Sequence, residues 1–88
     1  MKLEWDENKR RSNLEKHGFD FLDARIVLQG NHLLKQTSYS DEERWLAVGL
    51  LEEIEVTIIY TKRQDKIRII SMRRARHEER RAYRQLYG

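Results

Sequence analysis

The sequence predicts a small α+β domain, with an antiparallel sheet of four to five strands, two helices before it and one after. Three observations carry that prediction. The hydrophobic period changes from helical to alternating after residue 31 and returns to helical near residue 73. The strand-like runs are separated by only a few polar residues, which favours antiparallel neighbours in a meander. The chain has 88 residues, enough for one core and too few for two, so residues 1–88 are read as a single domain.

Taken in order, Leu3-Glu4-Trp5 is a short strand candidate. Asp6 is placed to cap a helix over about 7–17, and Gly18 to end it at the C′ position. Between those two residues only Leu14 is strongly apolar. The helix must therefore dock through few apolar contacts and show most of its surface to solvent or a ligand. A second helix spans roughly Asp20 to Leu28, carrying Phe21, Ala24, Ile26 and Leu28, and Gln29-Gly30-Asn31 ends it. Leu33–Ser38, Arg44–Leu50, Glu55–Lys62 and Ile67–Met72 read as four strands. The last two are rich in β-branched residues and look like the centre of the sheet. Asp41-Glu42-Glu43, Glu52-Glu53 and Arg63-Gln64-Asp65-Lys66 supply the turns. From Arg73 onward the spacing is helical. Ala75, Glu79, Ala82 and Leu86 share one face, with Arg73, His77, Arg80 and Arg84 opposite. Trp5 and Trp45 are assigned to the core.

Hydrophobic residues make up 39% and charged residues 38%, so the core is modest and the surface densely ionic. Charge is unevenly divided. Residues 1–60 carry 8 Lys and Arg against 12 Asp and Glu, whereas residues 61–88 carry 10 against 3. A basic block in an otherwise acidic chain suits a polyanion, and equally describes a solvated charged helix. There is no cysteine, which excludes a disulfide framework and a thiolate metal site. The opening residues lack a signal-like apolar stretch, and no run is long enough to cross a bilayer. A cytoplasmic protein without membrane contact is expected.

Several chemistries can be set aside. His17, His32 and His77 are far apart and show no metal-ligand spacing, and the acidic groups fall in turns. No glycine-rich phosphate loop or nucleophile elbow is present. No metal and no cofactor are expected.

What remains is cationic. Arg63, Arg68 and Arg73 come at spacing five on a strand–turn–strand unit leading into the last helix. On a period-two strand Ile67, Ile69, Ser71 and Arg73 share one face, with Arg68, Ile70 and Met72 on the other. Arg68 then sits among apolar neighbours and needs either a carboxylate such as Glu79 or a phosphate. RNA cleavage without a metal needs a base for the ribose 2′-OH, an acid for the departing 5′-oxygen, and fixed cations for the extra charge of the pentavalent state. Arginine matches phosphate oxygens with a planar fork. Imidazole titrates near neutral pH, so His17 serves either as proton carrier or as a cation favoured by its helix C-terminus. Lys9, Asn13 and Lys16 form a stripe on the first helix, away from Leu14. They track a phosphate backbone or form a wet face. Tyr83 packs, stacks on a base or donates its hydroxyl, with core packing the simplest role.

The chain resembles the BrnT toxins, a family with a compact fold akin to the RelE ribonuclease toxins. The resemblance rests on Trp5-Asp6, Lys9, Asn13, Lys16-His17-Gly18 and Phe21, then Arg44 with Gly49. It continues through Tyr60-Thr61-x-Arg63, Arg68-Ile69-Ile70-Ser71-x-Arg73-x-Ala75, Glu79 and Tyr83. Met72 stands where alanine is more usual. The resemblance implies a metal-independent endoribonuclease toxin of a type II toxin–antitoxin pair that inhibits translation by cutting RNA, free or on the ribosome. It also implies a BrnA-type antitoxin with a ribbon-helix-helix fold, in a heterotetramer of two toxins and two antitoxins that meets DNA only through the antitoxin. The catalytic set expected is His17, Lys9, Arg63, Arg68, Arg73, Glu79 and Tyr83; Lys16, Asn13, Arg80 and Arg84 are expected to bind RNA. A nucleic-acid-binding module without catalysis, and an interaction domain for an acidic protein, are the competing readings.

Overall fold

A computed structural model describes residues 1–88. The elements run β1 (Lys2–Glu4), α1 (Glu7–His17), a 3-10 turn (Phe21–Asp23), α2 (Ala24–Gln29), β2 (His32–Tyr39), β3 (Glu42–Leu51), β4 (Ile54–Arg63), β5 (Lys66–Arg74) and α3 (His77–Tyr87). The α+β class, the four long strands and the three helices are those expected from the sequence. The five strands lie in the order β1-β5-β4-β3-β2. β2 to β5 form the antiparallel meander. The sheet is mixed rather than wholly antiparallel, because β1 pairs parallel with β5, setting Glu4 beside Arg68. A three-residue strand at the N-terminus carries no pattern that fixes its direction.

One face of the sheet makes the main core. Phe21, Ala24, Val27 and Leu28 pack there on Ala47, Val56, Ile58, Tyr60, Ile69 and Met72. Burial raises the Tyr60 phenol above its ordinary pKa, because the charged form would lose solvation. Trp5 and Trp45 are only half-buried against this cluster. Close packing explains Gly49: a Cβ there would stand 2.9 Å from Val27 Cγ1 and 3.2 Å from His32 Cβ.

α1 follows its expected caps. The Asp6 side chain accepts from the N–H groups of Asn8 and Lys9, and Gly18 closes the helix at φ 78°. Its docking is polar. Leu14 is exposed, while Asn13 is 8% exposed. The Asn13 amide donates to the carbonyls of Met72 (2.7 Å) and Phe19 (3.1 Å), and its oxygen accepts from the N–H of Met72 (3.2 Å). β1 covers the outer edge of β5 only as far as Arg68. Asn13 thus supplies, farther along that edge, the donor and acceptor a further strand would have brought.

β5 ends later than the sequence suggests. It runs through Arg74, and α3 begins only at His77, so Arg73 belongs to the strand and not to the helix. The buried residue of α3 is Tyr83, whereas Leu86, assigned to the packed face, is exposed. The strand also carries a bulge. Tyr60 pairs with Ile69 and Ile59 with Ser71, leaving Ile70 extra. Ile69 and Met72 therefore both enter the core. Alternation across the bulge is reset, and the face assignment that separated Arg68 from Arg73 does not hold.

Candidate nucleic-acid interface

Resetting the alternation gathers side chains on the second face of the sheet. Arg73 pairs with Thr57, and Arg68 with Thr61. Thr57 and Thr61 are four residues apart on one strand and share a face, so Arg68 and Arg73 share it too. Successive rows across this face read Arg73-Thr57-Val48-Leu33, then Ser71-Ile59-Leu46-Lys35. Farther along come Arg68 with Thr61, Arg44 with Thr37, and finally Lys66 with Arg63. α3 packs on the first row, where Tyr83 meets Val48, Leu33 and Ala75. The open rows beyond it carry Lys35, Arg44, Arg63, Lys66 and Arg68, with Glu4 and Glu42 as carboxylates; of these, Lys35 borders the start of α3 across a cleft.

At the border between α3 and the open rows stands the best-organised polar group. Arg73 donates to Glu79 through Nη1 (2.8 Å) and Nη2 (3.0 Å). The Glu79 carboxylate also accepts from the Thr57 hydroxyl (2.9 Å) and the Arg76 backbone N–H (2.7 Å). Burial opposes its ionisation, but the hydrogen bonds from Arg73, Arg76 and Thr57 outweigh that and hold its pKa at about 2. A carboxylate so acidic, with both oxygens engaged, is a weak base and is not an acid near neutral pH. Arg73 keeps more freedom. Nη1 donates to Glu79 and to the Arg74 carbonyl, and Nη2 to Glu79. Of five guanidinium donors, Nε–H and the second Nη2–H remain, side by side, as a fork suited to a phosphate.

A cleft of about 310 Å³ opens beside this pair, between the start of α3 and strands β2 and β3. Leu33, Leu46, Val48 and Ala82 line it on the apolar side, and Lys35, Arg76, Glu78 and Glu79 on the polar side.

The expected site residues divide sharply. Arg63, Arg68 and Arg73 do not form one cluster. Arg63 and Arg73 stand opposite Lys66 and Thr57, at the two ends of one hairpin, about 20 Å apart at ~3.3 Å per residue. Arg68 pairs with Glu4 at 3.2 Å, and Arg73, not Arg68, takes Glu79. Tyr83 is buried against Val48 and Ala75. Asn13 is committed to the edge of β5, so the proposed RNA stripe on α1 reduces to Lys9 and Lys16, both exposed and without an ion pair. Arg80 donates to the Ala75 carbonyl at 2.6 Å. Arg84 donates twice to Glu55, which raises the guanidinium pKa. His17 ends α1. His17 is one helical turn beyond Asn13, whose amide meets Met72, the residue before Arg73.

Lys35, Arg76 and Glu78 were not singled out by sequence reasoning, and Arg44 only as a residue of the family resemblance. Lys35 shares strand parity with Leu33 and Arg44 with Leu46, a signal readable only once the direction each face points is known. No group of three or more His, Asp or Glu side chains stands where it could hold a metal ion. No helix is long and apolar enough to cross a membrane.

Residues 5–79 match the family model described as ribonuclease toxin, BrnT, of type II toxin-antitoxin system. No curated protein matches the chain. The match spans most of the sequence, from Trp5 to the Glu79 that holds Arg73, and the chain belongs to this family.

Proposed function

We propose that this member of the BrnT ribonuclease toxins cuts RNA without a metal, using the open half of the sheet to hold the strand and Arg73 to hold the phosphate that is cut. Membership implies an RNA substrate and an antitoxin partner. The observation that carries the finer reading is the Arg73–Glu79 pair, which fixes a guanidinium at the edge of a basic face while leaving two of its donors free.

In this reading the ribose 2′-oxygen attacks the adjacent phosphorus, the P–O5′ bond breaks, and a 2′,3′-cyclic phosphate and a free 5′-hydroxyl result. The Nε–H and Nη2–H of Arg73 bond the non-bridging oxygens and stabilise the charge that builds there. Glu79 is a positioning residue for Arg73 and moves no proton. His17, one helical turn beyond the Asn13 that meets Met72, is assigned one proton transfer, with Lys9 the candidate for the other. Arg63, Arg68 and Lys16 contact phosphates on either side, because a single strand several nucleotides long spans the ~20 Å of the hairpin.

The same reading takes residues 1–88 as one RelE-like unit acting in the cytoplasm, where RNA cleavage arrests translation. A BrnA-type ribbon-helix-helix antitoxin, two copies with two toxins, is the proposed partner. Incubating the purified chain with RNA in EDTA tests the chemistry. Products ending in 2′,3′-cyclic phosphate are expected, and intact RNA, or ends carrying a 3′-hydroxyl, would overturn it.

A further inference from the structure

We infer that the cleft beside α3 is a base-recognition subsite and that it takes guanine. This rests on the RNA substrate of the preceding reading and adds to it which nucleotide the chain selects.

The cleft's volume, about 310 Å³, lies at the lower limit of small-molecule sites, which run from roughly 300 to 1,000 Å³. It fits one nucleoside and not a longer ligand. Leu46, Val48 and Ala82 give it an apolar wall, the surface on which an unstacked base is received. Its rim carries three charged side chains that make no ion pair in the structure, Lys35, Arg76 and Glu78. Glu79, the other carboxylate of the lining, is consumed by Arg73, Thr57 and the Arg76 N–H. Glu78 is thus the free acceptor of the cleft.

Among the four RNA bases only guanine offers two adjacent N–H donors on its Watson–Crick edge, N1–H and the exocyclic amine. A carboxylate matches that pair with two parallel bonds. Adenine and cytosine present one donor beside an acceptor, which a carboxylate repels, and uracil presents one donor between two acceptors. The O6 and N7 of the same guanine are acceptors, and the cationic Lys35 and Arg76 complement them. The cleft also adjoins Arg73 through Glu79, so a base seated there keeps its own phosphate near the free fork.

The test compares the wild-type chain with Glu78→Gln, an isosteric change at an exposed helix position. End-sequencing of fragments from a mixed-sequence RNA is expected to show guanine enriched at one fixed position relative to the cut, about tenfold or more for one bidentate contact. In the variant, the ratio of guanine to other bases at that position should fall to near one. No enrichment, or enrichment unchanged by Glu78→Gln, would overturn the subsite. If neither protein cuts RNA, the cleavage reading fails and the subsite is judged by titration with the four nucleoside monophosphates. Tighter binding of the guanosine form, lost in Glu78→Gln, upholds it; equal or absent binding refutes it.

Discussion

Arg73 and Glu79 face each other across the seam between β5 and α3 through two parallel hydrogen bonds, with side chains only 12% and 18% exposed. The pair joins sheet to helix and fixes a guanidinium on the face of the sheet that Thr57 shares. Its stabilising effect depends on the charge of Glu79, which makes it visible to pH.

Glu79 has a folded pKa lowered from 4.5 to about 2. A depressed carboxylate pKa gives stability that is complete above about 4.5 and is lost as pH falls toward 2. With partial solvent screening, this contributes on the order of 2 kcal/mol. Acid unfolding followed by circular dichroism should therefore show a steep loss of stability between about pH 4.5 and 2. In Glu79→Gln that slope should be shallower and stability at neutral pH lower. Parallel pH profiles for the two proteins would refute this role.

Replacing Asn13 by Ala should orphan the N–H and carbonyl of Met72 and detach α1 from the edge of β5. A loss of about 2–4 kcal/mol is expected in urea unfolding, from one buried donor and one buried acceptor left without partners. If Asn13 were instead an RNA contact, the variant would keep its stability and lose only RNA affinity.

Gly49→Ala places a methyl group 2.9 Å from Val27 Cγ1 and 3.3 Å from the Asn31 carbonyl. Overpacking of this kind costs about 1–3 kcal/mol. The melting temperature should fall, and an unchanged value would show that α2 yields at no cost.

Glu52 and Glu53 join β3 to β4 with both residues at positive φ, 49° and 69°. A two-residue hairpin turn of this hand prefers Asn-Gly. The double change Glu52→Asn, Glu53→Gly should stabilise the protein by about 1–2 kcal/mol. The turn is remote from the proposed site, so RNA cleavage should be retained. Denaturant titration reads the gain, and a lower midpoint would contradict the strain argument.

The alternating runs and β-branched residues made the meander legible in the sequence, and Asp6 and Gly18 marked α1 because capping is local chemistry. Three features were not legible. Pairing of β1 with β5 depends on a contact between residues more than sixty positions apart. The bulge at Ile70 adds one residue without any local mark, since Ile69, Ile70 and Met72 are all apolar, yet it decides that Arg68 and Arg73 share a face. The partner of each arginine depends on that geometry: Glu4 for Arg68, Glu79 for Arg73, Glu55 for Arg84. Asn13 left a faint trace. In a helix with almost no apolar residues, something polar had to dock it, and Asn is a side chain able to both donate and accept across a bare strand edge.

The central claim is that the two free donors of Arg73 grip the phosphate being cut. Single-turnover cleavage of RNA by Arg73→Lys, a variant that keeps the charge but lacks the fork, tests it most directly. The rate should fall about 100-fold, the scale of losing one fixed donor to a developing oxyanion, while the circular dichroism spectrum stays that of the wild type. A rate within about threefold of the wild type would contradict it.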